Sequence, residues 1–94
     1  MIVATVTYRA EAAEIDRVRP AHMEWLKQGL ADGRLLAAGR QVPMVGGILL
    51  ARGSIDEIKA WCATDPYVTN GLADYGFVEF TPGMFAPGLE SLGQ

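Results

Sequence analysis

Along its 94 residues the chain alternates between a hydrophobic period of about two residues and one of about 3.6, in the order strand, helix, strand, strand, helix, strand. That order leaves little choice of architecture. β-α-β-β-α-β is the split βαβ arrangement, in which one antiparallel sheet carries both helices on a single face. The expected class is therefore α+β, ferredoxin-like.

The individual elements follow from local pattern. Ile2-Val3-Ala4-Thr5-Val6-Thr7-Tyr8 alternates β-branched or aromatic residues with smaller ones and predicts a strand over 2–8. From Pro20 to Asp32, a step of about 100° per residue gathers His22, Leu26, Gly29 and Leu30 into one arc, with Trp25 and Met23 at its flanks. Pro20 fits the first turn of that helix, where its missing N–H costs nothing, with Ala12–Val18 as an earlier helical turn joined by a kink. Gly33 supplies a left-handed cap. Arg34–Gly39 and Gly46–Arg52 then read as a hairpin around a turn at Gln41–Val45.

Ser54-Ile55-Asp56-Glu57 matches a capping box and opens a second helix that turns Ile55, Ile58, Trp61 and Cys62 inward and stops near Thr64. Asp65-Pro66 starts a short turn running to Asn70-Gly71, and Asp74–Thr81 supplies the last strand before Pro82-Gly83 breaks it. Residues 83–94 form an irregular tail, apolar enough to pack across a subunit boundary. No internal repeat, low-complexity tract or linker divides the chain, so 1–94 reads as one domain.

With both helices on one sheet face, the other face lacks a cover, and no segment is long enough to provide it. A second copy packed sheet to sheet is the simplest solution, so a homodimer is expected. Composition narrows the partners further. Eight basic residues scattered among eleven acidic ones give a net charge of −3 and no basic stripe, which argues against nucleic acid. The longest apolar run, Gly46–Ala51, is far short of the roughly 20 residues of a membrane span. Met1–Val6 lacks the basic segment of a secretory leader, and a lone Cys62 suits reducing surroundings, so a cytoplasmic protein is expected.

His22 is the sole histidine, and its place in the apolar arc points its imidazole toward the sheet. A buried imidazole needs partners for both ring nitrogens. It is either a structural histidine bonded within the core or a general acid/base tuned by a carboxylate. Asp65 is the best such carboxylate, because the end of the second helix can approach the first on the same sheet face. Asp before Pro is equally an N-cap, and the two roles are compatible if one oxygen caps while the other orients the ring. Arg19, one turn before His22, is either a solvated arginine or a planar fork for an anionic substrate or for Asp65. Tyr67 either packs or offers its phenol to the same pocket. Trp25, Trp61, Met23 and Met44 are expected in the core or an interface, and Cys62 as an inert buried thiol. One histidine and no clustered acids give no metal site, and Gly46-Gly47 lacks the Gly-Lys-Ser/Thr of a phosphate loop.

Taken in order, Arg19-Pro20-Ala21-His22, Gly33-Arg34-Leu35, Gly39, Gly46-Gly47 and Asp65-Pro66-Tyr67 resemble the landmarks of the YciI-like (YCII-related) domain family across nearly the whole chain. The resemblance implies a dimeric α/β barrel, similar in shape to muconolactone isomerases, with a His/Asp-centred pocket falling on His22 and Asp65. It also implies kinship with proteins that eliminate chloride from hydroxylated aromatics. The hairpin departs from the common pattern, since Gln41-Val42-Pro43-Met44-Val45 carries no acid.

Two functions are consistent with these residues. One is a small cofactor-independent enzyme, an isomerase or lyase, in which His22 and Asp65 transfer a proton on a small cyclic or aromatic substrate held by Arg19 and Tyr67. The other is a non-catalytic dimeric module that binds a small molecule or a protein, with His22 and Asp65 as a structural pair.

Overall fold

The computed structural model describes residues 1–93. Four strands, β1 (Ile2–Tyr8), β2 (Leu35–Arg40), β3 (Gly46–Ala51) and β4 (Ala73–Glu79), form one sheet in the order β2-β3-β1-β4. Every neighbouring pair is antiparallel. Helices α1 (Ala12–Asp32), α2 (Ile55–Cys62) and α3 (Pro66–Thr69) complete the ferredoxin-like α+β fold. A short 3-10 helix, Glu90–Gly93, lies in the tail.

The expected strands and second helix are present to within a few residues; the first helix is not as expected. α1 is one continuous helix of 21 residues with Pro20 inside it. The sequence pattern placed Pro20 in a first turn, where its missing N–H would be harmless. An interior proline costs a helix about 3 kcal/mol. Ile15 and Val18, both buried, lie on the N-terminal side of Pro20. Fully burying two such side chains is worth roughly 1.5–3 kcal/mol each, so tertiary packing outweighs the local penalty. Extending the helix also turns its inward stripe. Ile15, Val18, Trp25 and Gly29 are buried, His22 and Leu26 are half-buried, and Leu30, expected inward, is 52% exposed.

α2 is capped as expected, the Ser54 hydroxyl accepting a hydrogen bond from the Glu57 backbone N–H at 3.1 Å. It buries Ile58, Trp61 and Cys62. Gly33 ends α1 in the left-handed region, at φ 87°. The core lies between the helices and one sheet face, where Ile2, Ala4 and Val6 of β1 meet Leu49 and Ala51 of β3 and Leu35 of β2. Gly46 is required by a close approach: a Cβ there would stand 1.7 Å from the Val6 carbonyl oxygen.

The opposite sheet face is apolar. Strand alternation and register set Val3 between Leu50 and Val78, and Thr5 between Ile48 and Gly76. Val78 is 60% exposed and Ile48 36%. No helix among the described residues is long and apolar enough to cross a membrane.

The α1–α2 contact turns on Gly29. A Cβ built there would come within 2.5 Å of the Trp61 ring, which is itself stacked on Trp25 with centroids 4.1 Å apart. Gly to Ala inside a helix ordinarily gains up to about 1 kcal/mol. Overpacking a fixed ring costs about 1–3 kcal/mol and should prevail. Gly29→Ala is expected to lower the thermal midpoint, read by circular dichroism, by about 4–8 °C per kcal/mol lost. A rise would show that the two helices separate freely.

Candidate active site

The site is assembled by three segments that meet on the helix-bearing side of the sheet. α1 places His22 facing inward, with its side chain 12% exposed. α2 ends at Cys62 and the chain turns at once into α3, whose N-cap is Asp65 and whose first residue is Pro66. Cap chemistry explains the geometry: Asp65 Oδ1 accepts the Tyr67 backbone N–H at 2.9 Å, and Pro66 occupies a position where no N–H is needed.

Asp65 is completely buried. His22 Nδ1 stands 2.8 Å from Asp65 Oδ1, and the Tyr75 hydroxyl donates to Asp65 Oδ2 at 2.6 Å. The two residues singled out from the sequence are thus brought together across 43 positions of chain. One detail differs from expectation. A single oxygen both caps α3 and meets the imidazole, and the second oxygen is taken by Tyr75. The Tyr67 amide and the Tyr75 phenol both donate to the carboxylate, and since a carboxylate only accepts, the ring that meets it donates from Nδ1, which in the neutral imidazole leaves the lone pair on Nε2.

Aromatic rings hold the imidazole in plane. Tyr67 stacks on His22 at a centroid distance of 4.0 Å and an interplanar angle of 15°, and Tyr8 meets Tyr67 edge-on at 5.8 Å. On the far side Trp25 lies 5.9 Å from His22 and stacks on Trp61, with its Nε1 donating to Thr64 Oγ1 at 3.0 Å. The Arg34 guanidinium sits over Trp61 at 5.5 Å.

A cavity of about 250 Å³ opens beside the ring, between α1 and the sheet, with His22, Tyr67 and Arg19 in its wall. Ala38, Gly39 and Gly47 line the sheet side, where their small size leaves the space. Among the described residues the Tyr67 hydroxyl makes no hydrogen bond, and Tyr67 lines the cavity. Burial, partly countered by Arg19, pushes the Tyr67 phenol up to about 12, so it keeps its proton at neutral pH and can donate. Burial raises the Tyr75 phenol further, helped by the Asp65 charge and by the hydrogen bond it gives. Burial and Asp65 push the Cys62 thiol up to about 12, which leaves it protonated and unreactive. No group of three His, Cys, Asp or Glu side chains suited to a metal ion occurs among the described residues.

Arg19 does not reach Asp65. Its Nη2 pairs instead with Asp16 Oδ1 at 3.1 Å, one turn back on α1, and its side chain lies at the cavity wall. Met23 and Met44, expected in the core or an interface, are 44% and 66% exposed, and Met23 lines the cavity. Sequence reasoning missed Tyr75, Tyr8 and Arg40. Alternation along β4 sets Ala73, Tyr75 and Phe77 on the helix-bearing face, a legible signal, but which of them meets Asp65 is set by the packing of α3.

The family model for the YCII-related domain matches residues 1–81. The chain belongs to the YCII-related domain family. Among solved structures it is similar to 5-chloro-2-hydroxyhydroquinone dehydrochlorinase from Burkholderia phenoliruptrix, in complex with 2,5-dihydroxybenzoquinone, with a TM-score of 0.71 and 18% identity over 88% of this chain and 96% of that one. A search of the curated proteins found no match.

Tyr75→Phe removes one donor from a fully buried carboxylate while keeping the ring. A hydrogen bond to a charged group contributes about 1.5–3 kcal/mol, so the variant should melt about 6–24 °C lower by circular dichroism. An unchanged midpoint would mean that Tyr75 does not hold Asp65.

Proposed function

We propose that this YCII-related chain is a cofactor-independent enzyme that moves a proton on a small single-ring substrate, by elimination or isomerisation. His22 is the general base through Nε2, Asp65 orients it, Tyr67 donates a hydrogen bond and Arg19 holds an anionic group. One observation carries the reading: an imidazole held at Nδ1 by a buried carboxylate, on a residue that lines a cavity too small for a large ligand.

In an elimination, Nε2 takes a proton from a hydroxyl or C–H of the substrate. On a hydroxylated aromatic ring a proton is added to the ring carbon that bears the leaving group, which becomes tetrahedral in the keto tautomer; loss of a second hydroxyl proton then forms a C=O bond and expels an anion such as chloride. In an isomerisation the imidazolium returns the proton to another carbon. Asp65 stabilises the imidazolium in either case, and it is placed to do so before reaction begins. The similarity in fold to a dehydrochlorinase supports an elimination on a hydroxylated ring.

A second reading is favoured by how fully Asp65 is satisfied. Three donors on one buried carboxylate would serve equally to pin α1 and α3 to the sheet in a non-catalytic binding module. Turnover separates the two. Against lactones and chlorinated hydroxyquinols, the wild type should turn over at least one substrate, and His22→Gln should lower kcat by about 10²–10⁴ while leaving the dimer folded. Absence of turnover across both classes, or full activity in His22→Gln, would rule out the enzymatic reading.

We also propose that the chain is a homodimer joined through the open sheet face. Val3, Ile48, Leu50 and Val78 form an apolar patch there that the chain's own helices do not cover. Light scattering after size exclusion should give twice the 10.1 kDa chain mass, and Val78→Asp should return the monomer. A wild-type monomer at micromolar concentration would refute the dimer.

A further inference from the structure

We infer that Arg40, on the edge strand β2, joins Arg19 of α1 in a two-armed clamp that selects a single-ring substrate bearing an anionic group. The inference rests on the reading that the His22 cavity is a substrate site, and it adds a residue and a substrate charge to that reading.

Arg19 and Arg40 both line the His22 cavity, and both also line an adjoining outer groove of about 670 Å³ bounded by Ile15, Asp16 and Met44. They therefore stand at the neck between the two spaces, one projected from the helix and one from the sheet. Their commitments to the protein are slight. Arg19 gives one of its donors to Asp16. Arg40 has only Met44 Sδ, 3.3 Å from its Nη1, and a thioether is a weak acceptor. Arg9, Arg17 and Arg34, like Arg19, each have a carboxylate partner. Arg40 has none among the described residues. Among the described residues Asp16, in the outer groove, is the one acidic residue lining either space and is already paired, so the passage to His22 carries net positive charge.

Size completes the specification. About 250 Å³ lies just under the usual range for small-molecule pockets, which leaves room for one ring and its substituents. With its anionic group at the neck, such a ring would place its opposite edge toward His22 and Tyr67. A carboxylate or a delocalised phenolate matches the guanidinium fork, which offers parallel planar donors; an ammonium in its place would supply charge without that geometry.

The test compares benzoate with benzyl alcohol, which keeps the ring and lacks the charge, by calorimetric titration at low salt. Wild type should bind benzoate about tenfold or more tightly than benzyl alcohol; Arg40→Gln should weaken benzoate about tenfold and change benzyl alcohol less than about twofold, with Arg40→Lys between the two. Arg40 is exposed, so the variants should melt like wild type, which circular dichroism checks. Equal affinity of wild type for the two ligands, binding of neither, or undiminished benzoate affinity in Arg40→Gln would overturn the clamp. An Arg40-dependent preference without turnover would sink the enzymatic reading alone. Turnover on an anionic ring with KM unchanged in Arg40→Gln would sink the clamp alone.

Discussion

A carboxylate with no exposed surface is tolerated only when its oxygens find donors inside the protein, because stripping it of water costs several kcal/mol. Asp65 finds three, and they come from separate parts of the fold: the imidazole of α1, the first free amide of α3 and the phenol of β4. The pairing therefore joins the long helix, the short helix and the edge of the sheet at one point. It also fixes the tautomer of the ring it touches. Architecture and chemistry share a single network, so the fold cannot relax around Asp65 without releasing His22.

The aromatic stack extends that constraint along α1. Tyr67, His22, Trp25 and Trp61 lie in near-parallel succession, and Gly29 leaves the gap that the last ring fills. Rotation of the imidazole would break its bond to Asp65 and its contact with Tyr67 together. A ring held this way has lost its conformational freedom during folding, which is the physical content of preorganisation. Opposite the stack, alanine and glycine on β2 and β3 leave space where larger side chains would have closed the core. The cavity follows from that choice of small residues on the strands facing α1.

Much of this was readable in the letters. Alternation in Ile2–Tyr8 marked β1, Ser54 marked the start of α2, and Asp65-Pro66 marked a helix start, because each signal is local and its chemistry acts within a few residues. His22 was readable as inward from helical period, and Asp65 as its neighbour from topology. What escaped depended on balances between distant parts. Pro20 looked like a boundary because propensity alone puts one there; the burial of Ile15 and Val18, which overrides it, is a tertiary fact. Tyr75 reads from the letters only as part of the last strand, since nothing near it in sequence names its partner. Arg40 was one of eight scattered bases until the sheet edge brought it to the neck of the cavity.

The chain has a single histidine, so its imidazole nitrogens give an unambiguous signal in a ¹⁵N NMR spectrum of histidine-labelled protein. In the neutral ring, hydrogen on Nδ1, slow to exchange with water, and an unprotonated Nε2 are the result predicted by a ring clamped to Asp65 and open to the cavity. Hydrogen on Nε2, or the averaged signals of a ring turning freely in solvent, would contradict it.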